Sequence, residues 1–98
     1  MLFLVYLEDI ADNMRIREPL LKEHMAHIGR HIGAIKLAGP FMRDDGSAPA
    51  GGMLLVEAES KQQVIDIIAA DPYNKAGLWP HVRIHAFKDL VNNWRQPG

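Results

Sequence analysis

The chain contains no cysteine, which removes disulfides, thiolate nucleophiles and cysteine-based zinc sites from consideration. Charge of one sign is also missing: 11 Lys and Arg stand against 12 Asp and Glu, for a formal net charge of −1. Binding to nucleic acid or to an anionic membrane needs a clustered basic excess, so neither partner is expected. The longest opening apolar run, Leu2 to Leu7, is far too short to span a bilayer. No basic segment precedes it as a signal peptide would require, so the expectation is a cytoplasmic protein. No Gly-x-x-x-x-Gly-Lys-Ser/Thr loop, nucleophile elbow or other cofactor motif occurs, and no cofactor is expected.

What remains is an ordinary globular composition, 48% apolar and 23% charged over 98 residues. That length suits one domain, taken as residues 1–98 with 88–98 as a C-terminal tail. Leu2 to Leu7 reads as a strand buried on both faces, because its apolar residues do not alternate with polar ones. Glu8 to Asn13 is polar and turn-like. From about Arg15 to Gly33 the pattern becomes helical, with Leu21, Met25, Ile28 and Ile32 spaced as one core-facing stripe. Pro19 fits the first turn of such a helix, which sets the expected start near Arg17 or Glu18.

Ala34 to Phe41 is expected as a second strand, broken by Gly39-Pro40, and Met42 to Gly52 as a loop. Met53 to Val56 is a third strand, again apolar on both faces. Ser60 and Gln63 form the two halves of a capping box for a second helix, Lys61 to Ala70, with Val64, Ile65, Ile67 and Ile68 inward. Asp71-Pro72-Tyr73 ends that helix. His81 to Phe87 alternates like an edge strand, and Leu90, Val91 and Trp94 suggest a last helical turn packed on the body or on a partner.

The order βαββαβ predicts an α+β, ferredoxin-like antiparallel sheet with strands one and three central and two and four at the edges. Two helices cover one sheet face. The apolar residues on the other face predict a second cover, most simply another copy of the chain packed sheet to sheet as a homodimer.

Three histidines, His24, His27 and His31, fall on one stripe of the first helix, roughly 60° wide, with His24 nearest the apolar face and His27 furthest toward solvent. Histidines of a single helix seldom converge on one ion unaided, so no metal is expected. A half-buried His24 can move protons near neutral pH if a carboxylate orients it, and Asp71 is the candidate partner. Arg15, Arg17 and Tyr6 are candidates for holding an anionic small-molecule substrate.

The segments His24-Met25-Ala26-His27-Ile28, Leu37-Ala38-Gly39-Pro40-Phe41 followed by Asp44-Asp45-Gly46, and Ala70-Asp71-Pro72-Tyr73-Asn74-Lys75-Ala76-Gly77-Leu78 before Val82-Arg83-Ile84 come in an order that resembles the YCII-related (YciI-like) family. That resemblance implies a dimeric α/β-barrel form of the ferredoxin-like fold, similar at fold level to muconolactone isomerase and small monooxygenases. It implies an active site pairing His24 with Asp71, and places Gly39, Pro40 and Tyr73 in the family's motifs as substrate-contact candidates. A few members of the family act on chlorinated aromatics, including removal of chloride from a hydroxyquinone. This chain departs from the family pattern in the Pro19-to-Glu23 lead-in, in a helix about one residue longer, and in carrying His27 where an aromatic residue is common.

Two functional classes follow. One is a cofactor-free enzyme performing His/Asp acid–base elimination or isomerisation on a small organic acid or phenolic compound. The other is a non-catalytic dimeric module that binds a small molecule.

Overall fold

In the computed structural model, residues 1–94 are described; the last part of the tail, residues 95–98, lies outside them. The elements run β1 (Leu2–Glu8), α1 (Met14–Arg30), β2 (Ile35–Met42), β3 (Pro49–Glu57), α2 (Lys61–Ala69), α3 (Pro72–Lys75) and β4 (His81–Phe87). The sheet is fully antiparallel in the order β2-β3-β1-β4. The two doubly apolar strands are thus central, as expected of a ferredoxin-like α+β fold.

Register explains the two faces of the sheet. Phe3, Val5 and Leu7 of β1 pair with Val56, Leu54 and Gly52 of β3 and turn toward the helices. Together with Ile16, Ile35, Val64, Ile68, Tyr73, Leu78 and Trp79 they form the buried core. Leu2, Leu4 and Tyr6 face the other way beside Leu55 and Met53, and are only half-buried. At Gly51 a side chain has no room, since a Cβ there would run into the Leu7 carbonyl and the Phe41 ring.

Helix α1 differs most from its expected form. It starts at Met14, and Pro19 lies inside it rather than in its first turn. Arg15, whose carbonyl loses its usual N–H donor to that proline, is on the exposed side, where water can serve it. Of the expected stripe, Leu21, Met25 and Ile32 are exposed and Ile28 is partly buried against the core; the buried positions are Ile16 and His27, with Leu20 also partly buried beside them. His27, expected toward solvent, is 3% exposed and donates Nε2–H to the Ile67 carbonyl at 2.8 Å, which ties α1 to α2.

The other differences are smaller. β2 runs straight through Gly39-Pro40, which an edge strand tolerates because its outer N–H groups need no sheet partner. β3 begins at Pro49, four residues before its expected start, and shortens the loop. Ser60 Oγ accepts from the Gln63 N–H at 3.3 Å, but Gln63 reaches back to the N–H of Glu59 rather than of Ser60. Ile65 is exposed, not core. Lys88 to Asn92 is not helical, Asn93 and Trp94 lie in a turn, and Leu90, Val91 and Trp94 are exposed; the rest of the expected last turn falls outside the described residues.

Candidate active site

The segment 71–78 is one fully capped helical turn. Asp71 stands at the N-cap of α3 and its Oδ1 accepts from the Tyr73 N–H at 2.9 Å, while Pro72 opens the helix without a wasted donor. At the other end Gly77 takes φ +86°. Leu78 N–H then returns to the Tyr73 carbonyl and Gly77 N–H to the Asn74 carbonyl, a Schellman closure that only glycine enters without strain. This turn holds Asp71, Tyr73, Leu78 and Trp79 in the core, with Asp71 2% exposed.

The buried carboxylate of Asp71 then meets α1. His24 Nδ1 lies 3.0 Å from Asp71 Oδ1 and 2.9 Å from Oδ2. The imidazole stacks on Tyr73, with ring centroids 4.0 Å apart and planes 12° from parallel, and meets the edge of Trp79 at 6.2 Å. A carboxylate accepts, so Nδ1 carries a proton, and in the neutral ring Nε2 then keeps its lone pair. Among the described residues no buried side-chain nitrogen or oxygen lacks a partner. Nε2 has none, so it reaches solvent.

His24 lines a cleft of about 480 Å³ between α1 and the β2–β3 half of the sheet. The floor is built from Ala38, Gly39, Pro40, Pro49 and Gly52, residues too small to fill the space beneath Leu21, Met25 and Ile28. Leu21, Met25 and Ile28 of the expected stripe therefore form the wall of this cleft, Ile28 packing against the core as well. A volume of this size suits a single-ring molecule.

Beside it is a second buried group that sequence reasoning passed over as turn. Asp9, whose side chain is 1% exposed, accepts from Arg17 Nε at 2.7 Å and Arg17 Nη2 at 3.1 Å. It also accepts from Asn13 Nδ2 at 2.9 Å and Trp79 Nε1 at 3.1 Å. Arg17 further donates to the Gly51 carbonyl, and its Cζ lies 5.4 Å from the centre of the Tyr73 ring. The Tyr73 hydroxyl donates to the Arg17 carbonyl at 2.9 Å. Burial pushes the Tyr73 phenol up from its ordinary pKa, against the opposing pull of the Arg17 charge. The signal available in the sequence was the spacing of four between Asp9, Asn13 and Arg17, right after an all-apolar strand.

Of the expected site residues, the fold gathers His24, Asp71, Arg17, Gly39, Pro40 and Tyr73 around the cleft. Arg15 and Tyr6 are elsewhere. Arg15 pairs with Asp12 at 3.3 Å on the surface, and Tyr6 stacks on Phe41 on the open sheet face. Nor do the three histidines converge. His24 turns to Asp71, whereas His27 turns to α2 and touches His31 edge-on at 4.8 Å.

Residues 1–88 match the model of the YCII-related domain. The chain belongs to the YCII-related family. It is 30% identical over 97 residues to Protein YciI of Escherichia coli, covering 92% of this chain and 99% of that protein. An uncharacterised Haemophilus influenzae protein matches the same share at 26% identity. Among solved structures, the chain is similar to 5-chloro-2-hydroxyhydroquinone dehydrochlorinase (TftG) of Burkholderia phenoliruptrix, in complex with 2,5-dihydroxybenzoquinone. That likeness has a TM-score of 0.81 and 29% identity, over 90% of this chain and 94% of that one.

Proposed function

We propose that this YCII-related chain is a small enzyme of cofactor-free acid–base chemistry, an elimination or isomerisation on a phenolic or quinol-like compound or small organic acid. One observation carries the reading: Asp71, buried and already fixed by its own helix cap, holds His24 Nδ1–H while the ring, its Nε2 unpartnered, lines the cleft. Asp71 sets the tautomer and His24 takes the proton at Nε2, the division of labour of an oriented imidazole base. Likeness to a dehydrochlorinase supports elimination in particular. Loss of HCl from a chlorinated hydroquinol leaves a quinone without any oxidant, because the departing chloride takes the electron pair with it. Two hydroxyl protons leave oxygen: one ends on the ring carbon that loses chlorine, and the other goes to His24. A cytoplasmic location, as expected from the sequence, belongs to the same reading.

The test is release of chloride from chlorinated hydroquinones by the wild type and by His24→Ala. Full activity in His24→Ala, or a pH–rate profile without a limb near neutrality, sinks the proposal.

A second reading, a non-catalytic binding module, draws on the Tyr73 hydroxyl bond and the His24–Tyr73 stack, which also fasten α1 to α3. Under it, His24→Asn lowers stability and leaves no activity to lose.

We also propose that a second copy covers the open sheet face. Leu4, Tyr6, Leu37, Phe41, Met53 and Leu55 share that face by register and none is buried within one chain. Sedimentation equilibrium decides it: a dimer that Leu55→Glu dissociates supports the face-to-face arrangement, and a monomeric wild type rejects it.

A further inference from the structure

Arg17 is built into its place in the same manner as His24. Each side chain stands on α1, each is held by a buried aspartate reached from another part of the chain, and each lies against the Tyr73 ring. Residues 17 and 24 are seven apart, two helical turns, so they project from nearly one side of α1 toward the cleft. Asp9 and the Gly51 carbonyl together occupy Arg17 Nε and Nη2. Nη1 has no partner. Since no buried side-chain nitrogen is left unsatisfied among the described residues, Nη1 is accessible, and Arg17 lines the cleft.

A proton removed by His24 leaves an electron pair on the substrate. When it comes from a phenolic O–H, or from a carbon beside a carbonyl, that pair settles on oxygen. Something must hold the oxyanion, and fixed donors aimed at developing charge do so most effectively because nothing has to reorganise. Among the described residues lining the cleft, Arg17 alone carries a guanidinium or ammonium. Its pairing with Asp9 cancels much of the long-range charge but leaves the two Nη1–H donors polarised and locked in direction.

Resting on the acid–base reading above, we propose that Arg17 Nη1 is the oxyanion donor of this cleft, acting on a phenolate or enolate oxygen, and that Asp9 is its positioning residue. The site is then two parallel pairs: Asp71 aims the base, and Asp9 aims the acid partner of the oxygen. Asp9 itself, closed in by four N–H donors, never touches the ligand.

The test uses 4-nitrophenol, whose phenolate absorbs in the visible, at a pH where the free probe is mostly protonated. Its ionised fraction when bound is compared in the wild type, in Arg17→Lys, and in the double variant Asp9→Asn/Arg17→Gln. The double variant keeps hydrogen-bonding groups at both positions and strands no buried charge, and thermal melting confirms that it folds. The expected result is a bound phenolate-to-phenol ratio about tenfold lower in the double variant, the equivalent of one pKa unit. Arg17→Lys, which keeps the charge but loses the fork, falls between. Binding of neutral 4-nitroanisole stays within twofold throughout. In the wild type, the Arg17 side-chain ¹⁵N signals move on adding the phenol.

An unchanged ratio in a folded double variant, with His24 and Trp79 signals moving on binding, overturns the role of Arg17 and leaves the acid–base reading intact. A probe that moves neither His24 nor Trp79 in the wild type overturns both.

Discussion

His24 Nδ1 lies almost midway between the two carboxylate oxygens of Asp71, at 2.9 and 3.0 Å, while the imidazole face rests on Tyr73. Replacing Asp71 by Asn puts an amide NH₂ within reach of Nδ1 and lets the ring adopt the tautomer protonated at Nε2, which removes the base from the cleft. Turnover in the proposed elimination then drops about 10²- to 10⁴-fold, comparable to His24→Ala. The imidazole ¹⁵N shifts of His24 distinguish this outcome, because a lost tautomer shows there even when the fold is intact.

Tyr73→Phe deletes the hydroxyl that donates to the Arg17 carbonyl, at a cost of about 1 kcal/mol. It also changes the alkaline limb of stability. Because burial raises the phenol's pKa in the fold, the unfolded chain gives up this proton first as pH rises. Stability from this group is whole below the ordinary phenol pKa near ~10 and drains away as pH climbs through the raised folded value. Urea unfolding at stepped pH therefore shows a steeper alkaline loss in the wild type than in Tyr73→Phe.

The acid limb carries a different contribution. Partial burial, reinforced by His27 and Arg30, lowers the His31 pKa in the fold. The neutral form is favoured, so this contribution is complete above the unfolded value near ~6.5 and is lost as pH falls through the lowered one. His31→Gln flattens stability between those limits, by an amount kept small by the side chain's contact with solvent, and the same urea series detects it.

Leu78 closes the Schellman turn and is fully buried, whereas Leu90 is 81% exposed. Leu78→Ala costs about 2–5 kcal/mol by removing packed methyls and leaving a void. Leu90→Ala stays within about 0.5 kcal/mol in the isolated chain. Equilibrium denaturation at low protein concentration makes the comparison.

The parts legible in the sequence were those decided by local chemistry. The central placement of β1 and β3 followed from their doubly apolar runs, and Ser60 with Gln63 marked the start of α2 correctly. Pairing His24 with Asp71 needed both the helix stripe and the family resemblance. The core face of α1 was misread for a physical reason. Leu21, Met25, Ile28 and Ile32 make a better periodic stripe than Ile16, Leu20 and His27, and Ile28 does pack on the core, but the small residues Ala38, Gly39 and Gly52 leave Leu21 and Met25 over open space. Periodicity reports which residues share a side of a helix. It does not report whether the opposing surface is filled, and a cleft is the case where it is not. Asp9 reads as turn because its polar neighbours look solvated: the spacing of four to Asn13 and Arg17 is local, but the fourth donor, Trp79 Nε1, which helps close the carboxylate off, comes from seventy residues away.

The N-cap of α3 and the orientation of His24 depend on the same carboxylate. Asp71 cannot leave its cap without releasing the imidazole, so a fluctuation that frays this single turn switches off the proposed proton carrier at the same instant. Amide exchange at Tyr73 thereby becomes a clock for loss of the competent state. Where that opening takes less free energy than global unfolding, inactivation on warming precedes melting of the sheet.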